Sequence, residues 1–408
     1  MQKTQSIFRM INSFQGNKKN NNFTQSRNCP VCENIEVKVV HAYDDFQFFT
    51  DSNSEYKRAD LKDCQCQNCF FLFKNPCYTD SGLKTLFAEA GFSYGSSSDH
   101  QLEQIHWLNK LKLIKPQTKL LDVGCYEGGF LSKLPSQICR MGVDVDLPAI
   151  ERGKKNNPDL FLSHGEFDKF TPLHKPTTIT MFHVLEHLRN PIEVLTRLRE
   201  ISAPDVALII EVPILELGQT NDLNGFFSVQ HLSHFSKNSL LNVISKSGWH
   251  IKEAEEIKAY NGFRVVAIPT TNKNMVNLKS NDLILTQKIL DNWRLSQLAL
   301  EEKFTKLPND GNFVIWGAGF HTEILYQLTS LFKPSRKFIL IDSDLSKNKK
   351  TWRGIEIYHP TCIEKLLDNP FHLIPSSYSG HESIITSAIS IGVTKDRVIN
   401  LYDGFRVY

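Results

Sequence analysis

Lys119-Leu-Leu-Asp-Val-Gly-Cys-Tyr-Glu-Gly128 decides the fold of this chain. An apolar run ends at Gly124, a second glycine follows at Gly128, and Gly129–Leu134 continues as helix-forming sequence. A strand that ends in a glycine bend and opens a helix places a ligand at the strand's carboxyl end, where the backbone can approach closely. The stretch has companions. Arg140–Val143, Leu160–Ser163, Thr177–Phe182 and Val206–Val212 are also short apolar runs separated by helix-length segments. Val206-Ala-Leu-Ile-Ile-Glu-Val212 is almost continuously apolar, as a strand covered on both faces requires. The rhythm predicts an α/β fold with a doubly wound sheet, closed by a strand pair at His250–Ile257 and Phe263–Ile268. One helix is marked by Asn190 as N-cap, Pro191 at its first position and Glu193 at its third, with Ile192, Leu195, Leu198 and Ile201 on its apolar side. Leu102, Ile105, Leu108 and Leu111 give residues 86–113 a helical texture.

Further out, Pro269–Asn281 reads as a polar linker before a helix carrying Ile289, Trp293, Leu300 and Phe304 on one face. A second α/β pattern then begins. Phe313–Trp316, Lys337–Asp342 and Phe371–Pro375 are strand-like, with helices near Phe320–Phe332 and His381–Ile391. Here Val314-Ile-Trp-Gly-Ala-Gly-Phe-His-Thr322 again joins strand to helix, and Asp342 follows Gly319 by 23 residues, where an acid could hold a ribose. A dinucleotide site is the sharper reading. The third glycine of the fingerprint is absent, which favours a structural Rossmann-like unit that closes over the substrate.

On the amino-terminal side, Cys29-Pro-Val-Cys32 and Cys66-Gln-Asn-Cys69 are two matched pairs separated by 33 residues. Two such turns can close a tetrahedral zinc site with Zn–S bonds of about 2.3 Å and no open position, so the metal would be structural. Cys64 competes by proximity, but Cys66 completes the pair. Cys77, Cys125, Cys139 and Cys362 have no partner by spacing and read as core or loop residues. The resulting partition is a disordered tail over 1–27, a zinc-binding module over 28–82, the first α/β domain over 83–270, a linker and helix over 271–309, and a Rossmann-like domain over 310–408.

Composition narrows the function classes. Of 408 residues 41% are hydrophobic and 22% charged, enough for several packed cores. The net charge of +3 is too small for a protein that coats polyanions. No apolar run reaches the roughly 18 residues of a membrane span, and 1–27 shows no secretory signal. Nine cysteines, crowded at one end, are not a disulfide framework. A soluble cytoplasmic protein is expected.

The spacing Asp122-x-Gly124-x-x-x-Gly128 resembles the S-adenosylmethionine loop of class I methyltransferases, with the middle glycine replaced by Tyr126. Asp144 lies 22 residues after Asp122, at the end of the next strand, where a carboxylate can accept both ribose hydroxyls. Glu166 follows the third strand, where that family places an acid near the adenine amino group. Met181-Phe-His-Val-Leu-Glu-His187 closely resembles the family's VLEH segment. The resemblance implies S-adenosylmethionine as cofactor, contacted by Asp122, Gly124, Tyr126, Gly128, Asp144, Glu166 and His183.

From Cys29 to Tyr408 the chain is similar to the three-domain sugar C-methyltransferases, which join a zinc module, a methyltransferase core and a Rossmann-like domain. That likeness implies methylation of a carbon beside the ketone of a nucleotide-linked keto-deoxysugar. The family's Tyr-x-Glu-His base string corresponds to Ser228, Val229, Gln230 and His231, with only the histidine kept. It implies His231 as base and His187 as an orienting or enolate-stabilising group, with Tyr94 and Gln230 at the substrate. An O- or N-methyltransferase acting on a polysaccharide sugar or other metabolite is the alternative, and a catalytically dead scaffold is a third. A zinc-ribbon nucleic-acid methyltransferase is disfavoured, because acidic residues outnumber basic ones around Cys29–Cys69. The expected partner is a small molecule, not nucleic acid or membrane.

Overall fold

The computed structural model describes residues 8–10, 23–48, 58–87, 98–167, 169–218, 223, 227–257, 260–271, 277–377 and 380–402. Its amino-terminal strands are β1 (Thr24–Gln25), β2 (Val37–Gln47), β3 (Arg58–Cys66), β4 (Leu72–Lys74) and β5 (Cys77–Tyr78). β1 pairs with β5, while β2, β3 and β4 form an antiparallel sheet. The β2–β3 hairpin fills the interval between the two cysteine pairs. Register shifts between Val39 and His41 and between Tyr43 and Phe46 interrupt its alternation, so no strand period is visible in the sequence there.

Two places correct the reading of 1–27 as a tail. Phe8 is buried and Arg9 pairs with Phe338 of the carboxyl-terminal sheet. Phe23 is buried against Phe48 and Tyr78, with ring centroids 5.6 and 5.5 Å away. An aromatic side chain isolated in polar sequence still docks where a distant apolar surface receives it.

Next come α1 (Asp80–Phe87), α2 (Ser98–Lys110), β6 (Lys119–Val123), α3 (Gly129–Ser132), β7 (Cys139–Asp144), α4 (Leu147–Asn156), β8 (Phe161–His164), β9 (Thr178–Phe182), α5 (Pro191–Glu200), β10 (Ala207–Val212), β11 (Ser233–His234), α6 (Lys237–Lys246), β12 (Trp249–Ile257) and β13 (Gly262–Pro269). Seven of these strands make one sheet in the order β8-β7-β6-β9-β10-β13-β12. β6 to β10 are mutually parallel, and β13 runs antiparallel to both its neighbours. The strand order reverses between β6 and β9, the switch point at which such sheets bind ligands. One apolar face packs against α5 and α6, which bury Leu195, Leu198, Leu240 and Ile244; the other meets Ile105 and Leu108 of α2. Asn190 precedes α5 as expected, but its amide donates to Glu193 Oε2 at 3.0 Å instead of capping the backbone.

β11 leaves this domain to join β4, pairing Ser233 with Phe73 and His234 with Leu72. The junction carries a buried charge cluster, in which Asp63 meets Lys74 at 2.8 Å and His234 at 2.7 Å.

The remaining elements are α7 (Asp282–Thr305), β14 (Gly311–Trp316), α8 (Phe320–Leu328), β15 (Arg336–Ile341), β16 (Thr351–Trp352), β17 (Ile355–Tyr358), β18 (His372–Pro375) and α9 (His381–Ser390). They build a sheet in the order β16-β17-β15-β14-β18, parallel except for β16. α7 buries Ile289, Trp293, Leu300 and Phe304 in one core with Tyr43, Phe46, Phe313 and Phe338, and so joins the first sheet to the last. Among the described residues no helix is long and apolar enough to cross a membrane.

Trp293 lies 5.1 Å from the His41 ring and 5.0 Å from that of Phe227. Trp293→Ala removes the bulk at this junction and is expected to cost about 3–5 kcal/mol, seen as a lowered urea midpoint.

Candidate active site

Gly124 closes β6 with φ +78°, a conformation that L side chains rarely adopt. A Cβ there would stand 2.3 Å from Val184 Cγ2. The bend therefore fits only where the loop after β6 presses on the residue that follows β9. Gly124 and Cys125 donate to the Val143 carbonyl at 2.8 and 3.2 Å, which turns the loop across the end of β7. Gly128, with φ +79°, repeats the requirement against Leu160 and Leu162.

Behind the bend, Asp122 is buried and accepts from Thr180 Oγ1 at 2.7 Å. Burial, partly offset by that bond, pushes its carboxyl up to about 7. Asp144 stands at the end of β7, where Tyr126 N–H donates to Oδ2 at 2.8 Å and Asp146 N–H to Oδ1 at 2.9 Å. Burial raises its pKa, and the two amides act against that rise. Its carboxylate is thus fixed at the mouth of the loop by main-chain donors, with a rim where a pair of hydroxyls can bind.

Tyr126 adopts φ +50°, and its hydroxyl accepts from Arg152 at 3.2 Å, so the ring lies toward α4. Val145, directly after Asp144, is 40% exposed and offers an apolar surface that the sequence did not single out. Glu166 is exposed and paired with Lys169, and Gly165 before it donates to the Asp144 carbonyl at 3.0 Å, so the loop after the third strand starts beside Asp144. Tyr94 lies outside the described residues.

The largest gap in the sequence reading is a polar network at the ends of β9 and β10. Glu211 of β10 is fully buried and accepts from His183 Nε2 at 2.9 Å, His100 Nε2 at 3.0 Å, Tyr260 Oη at 2.9 Å and the Arg264 guanidinium. His100 and Gln104, one turn apart on α2, deliver the helix to this carboxylate. Burial opposes charge on Glu211, but the histidines and Arg264 hold its carboxyl well below the usual range. Burial likewise opposes charge on His183, yet Glu186 and Glu211 push its pKa up to about 10, so it is an imidazolium at neutral pH. Its side chain is 28% exposed, and φ is +54°. A partly exposed cation therefore stands next to Val184, on which the glycine loop presses. The one signal for this network in the sequence was Glu211 itself, the lone acid in an apolar strand.

Beyond His183, the turn at Leu185–His187 brings His187 within 4.9 Å of the His231 ring. His187 Nδ1 bonds the Gln230 carbonyl at 3.0 Å, so Gln230 contributes its main chain here. Burial, with His187 and His234 nearby, holds the His231 pKa well below its ordinary value. The two histidines singled out in the sequence are neighbours, although 43 residues separate His187 from Gln230.

The four cysteines also converge. Cys29 Sγ lies 3.6 Å from Cys69 Sγ and Cys32 Sγ lies 3.4 Å from Cys66 Sγ, with all four sulfurs within 4.8 Å of one another. Four thiolates around one zinc stand about 3.8 Å apart, so the donor set fits. Asn68 N–H donates to Cys66 Sγ at 3.4 Å, an outer contact of the kind thiolate ligands need. Cys64 stays outside, bonded to the Asn75 carbonyl.

The second glycine loop copies the first. Ala318 N–H donates to Asp342 Oδ2 and Asp344 N–H to Oδ1, both at 2.9 Å. A difference decides its use. Lys347 Nζ reaches Asp342 Oδ2 at 3.2 Å and the Ala318 carbonyl at 3.1 Å, tying acid to loop from within. That arrangement fits a structural bend better than a ribose grip.

A seven-stranded sheet with a reversal at β6, a glycine bend there and an acid on β7 defines a class I S-adenosylmethionine-dependent methyltransferase domain. The family model described as a methyltransferase domain matches residues 99–254, from α2 to β12. The chain carries this domain and is an S-adenosylmethionine-dependent methyltransferase. No curated protein sequence matches the chain. Solved structures similar to it include magnesium protoporphyrin IX methyltransferase from Synechocystis, at 13% identity and TM-score 0.37, covering 47% of this chain and 100% of that one. A S-adenosylmethionine-dependent methyltransferase from Aquifex aeolicus is similar at 18% identity and TM-score 0.35, covering 47% and 98%. The N-methyltransferase NodS from Bradyrhizobium japonicum is similar at 14% identity and TM-score 0.35, covering 43% and 98%.

Gly124→Ala is expected to weaken S-adenosylmethionine binding at least about tenfold, since αL strain alone costs about 1–2 kcal/mol and Val184 blocks the methyl; calorimetry measures it. Between about pH 4 and 7 the folded chain keeps the Asp122 proton that an unfolded aspartate has released, so stability falls as pH rises through that window. Asp122→Asn is expected to flatten this fall in urea midpoints taken from pH 5 to 8. Asp282, raised by burial to about 7, retains part of the slope.

Proposed function

We propose that the methyl acceptor is a carbon beside the ketone of a nucleotide-linked keto-deoxysugar, and that the cysteine quartet holds a structural zinc. The pairing of His187 with His231 next to the imidazolium of His183 carries this reading. Carbon methylation needs a base for the proton beside the ketone and donors for the resulting oxyanion. His231, neutral at working pH because burial lowers its pKa, supplies the base. His187 and His183 supply orientation and positive charge. The donor lies over the Gly124 bend, its ribose on Asp144 and its adenine beside Val145. In-line transfer then depends on holding acceptor carbon, methyl and sulfur in one axis.

The cysteine module supports the same reading through its position. Arg27, from its edge, donates to the Leu232 carbonyl at 2.7 Å, adjacent to His231. Metal at the quartet would thus hold the segment that presents the base.

Full-length protein incubated with methyl-labelled S-adenosylmethionine and a panel of keto-sugar nucleotides is expected to place label on a non-exchangeable carbon. His231→Gln is expected to lower kcat by about 10²–10⁴-fold with cofactor affinity unchanged. Label found on oxygen or nitrogen contradicts the carbon assignment and favours the O- or N-methyltransferase alternative.

A further inference from the structure

Glu186 enters the scheme above only through the charge it holds on His183, and its surroundings are unusual. Its side chain is 1% exposed, yet neither carboxylate oxygen has a hydrogen-bond partner. Leaving a buried carboxylate unsatisfied is costly. What surrounds it is imidazole: His183 Nδ1 at 3.5 Å and His187 Nε2 at 3.9 Å from Oε1. One donor atom each from Glu186, His187 and His231 lie within 4.8 Å of one another.

The outer contacts match those of a metal centre. His187 commits Nδ1 to the Gln230 carbonyl, which directs Nε2 toward Glu186. Metal-bound histidines are oriented by this kind of second bond. Leu232 N–H donates to the Glu186 carbonyl at 2.8 Å, locking the Leu185–His187 turn to the residue after His231. His187 is 21% exposed, so the cluster opens to the cleft. A second group, His100, His183 and Glu211, is equally close. There, however, the Arg264 guanidinium and Tyr260 already fill the Glu211 carboxylate with hydrogen bonds.

We propose that Glu186, His187 and His231 bind one divalent transition-metal ion through a carboxylate oxygen and two imidazole nitrogens, with open positions facing the acceptor. Two imidazoles and one carboxylate suit manganese, iron, cobalt or zinc better than calcium or magnesium. Donor atoms bound at about 2.0–2.2 Å stand closer together than the widest separation here, so the side chains draw in by a few tenths of an ångström. The role given to the ion rests on the methyl-transfer reading: it would polarise the acceptor's oxygen, a part given above to His187. With the His231 lone pair spent on the ion, the proton beside the ketone would pass to an ion-bound hydroxide instead of His231.

The full-length chain is titrated with Mn²⁺, followed by the electron paramagnetic resonance of the free ion, while calorimetry follows S-adenosylmethionine on the same samples. Mn²⁺ prefers oxygen and nitrogen donors, so the cysteine quartet does not compete. One bound equivalent per chain is expected, weakened at least about tenfold by Glu186→Gln and by His187→Gln and unaffected by Cys69→Ser. Retained S-adenosylmethionine binding in Glu186→Gln and His187→Gln shows that the pocket is folded. No bound Mn²⁺, or binding indifferent to both substitutions, overturns the ion site even where the cofactor binds. Mn²⁺ bound without any cofactor binding supports the ion site and contradicts the transfer reading alone.

Discussion

The close approach of Gly124 to Val184 governs the arrangement of the site. Because no Cβ intervenes, the loop after β6 lies directly on the start of the segment after β9. β6 and β9 pair directly at the reversal of strand order, and that contact seats the segments leaving them against each other. The glycine loop, on one side, and the string from His183 to His187, on the other, then lie against one another. Everything chemical follows from this adjacency.

Around it, charge is placed by burial rather than by exposed pairing. Glu211 gathers His100, His183, Tyr260 and Arg264 in the interior, where each bond is stronger than in water and an unmet partner is costly. The result is a His183 that is charged at neutral pH, while burial of His231 itself holds that imidazole's pKa well below its ordinary value. Environments that separate the protonation states of neighbouring imidazoles are what acid–base work requires. The carboxyl-terminal unit shows the contrast. Its loop and acid have the same backbone geometry, but Lys347 already occupies Asp342.

Much of this was legible in the sequence, for identifiable reasons. Strands buried on both faces, such as Ala207–Val212, announce themselves by continuous apolar character, and their predicted limits agree with the structure to within a residue or so. The cysteine pairs and the glycine bend are local patterns, readable because their spacing is their geometry. The β2–β3 hairpin was not readable, since its bulges destroy the alternation that marks a strand. Phe8 and Phe23 were lost in polar surroundings, because their partners lie in other sheets. The Glu211 network joins positions as far apart as His100 and Tyr260, 160 residues, and only Glu211 itself marked it in the sequence. Glu186 stood in plain view in a motif, but only its burial with no hydrogen bond on either carboxylate oxygen sets it apart.

A crystal of the full chain grown with S-adenosylhomocysteine tests the account most directly. The account predicts the nucleoside over the Gly124 bend, both ribose hydroxyls on the Asp144 carboxylate, and the sulfur facing the His187–His231 pair. A nucleoside seated elsewhere, or one whose ribose leaves Asp144 untouched, contradicts it.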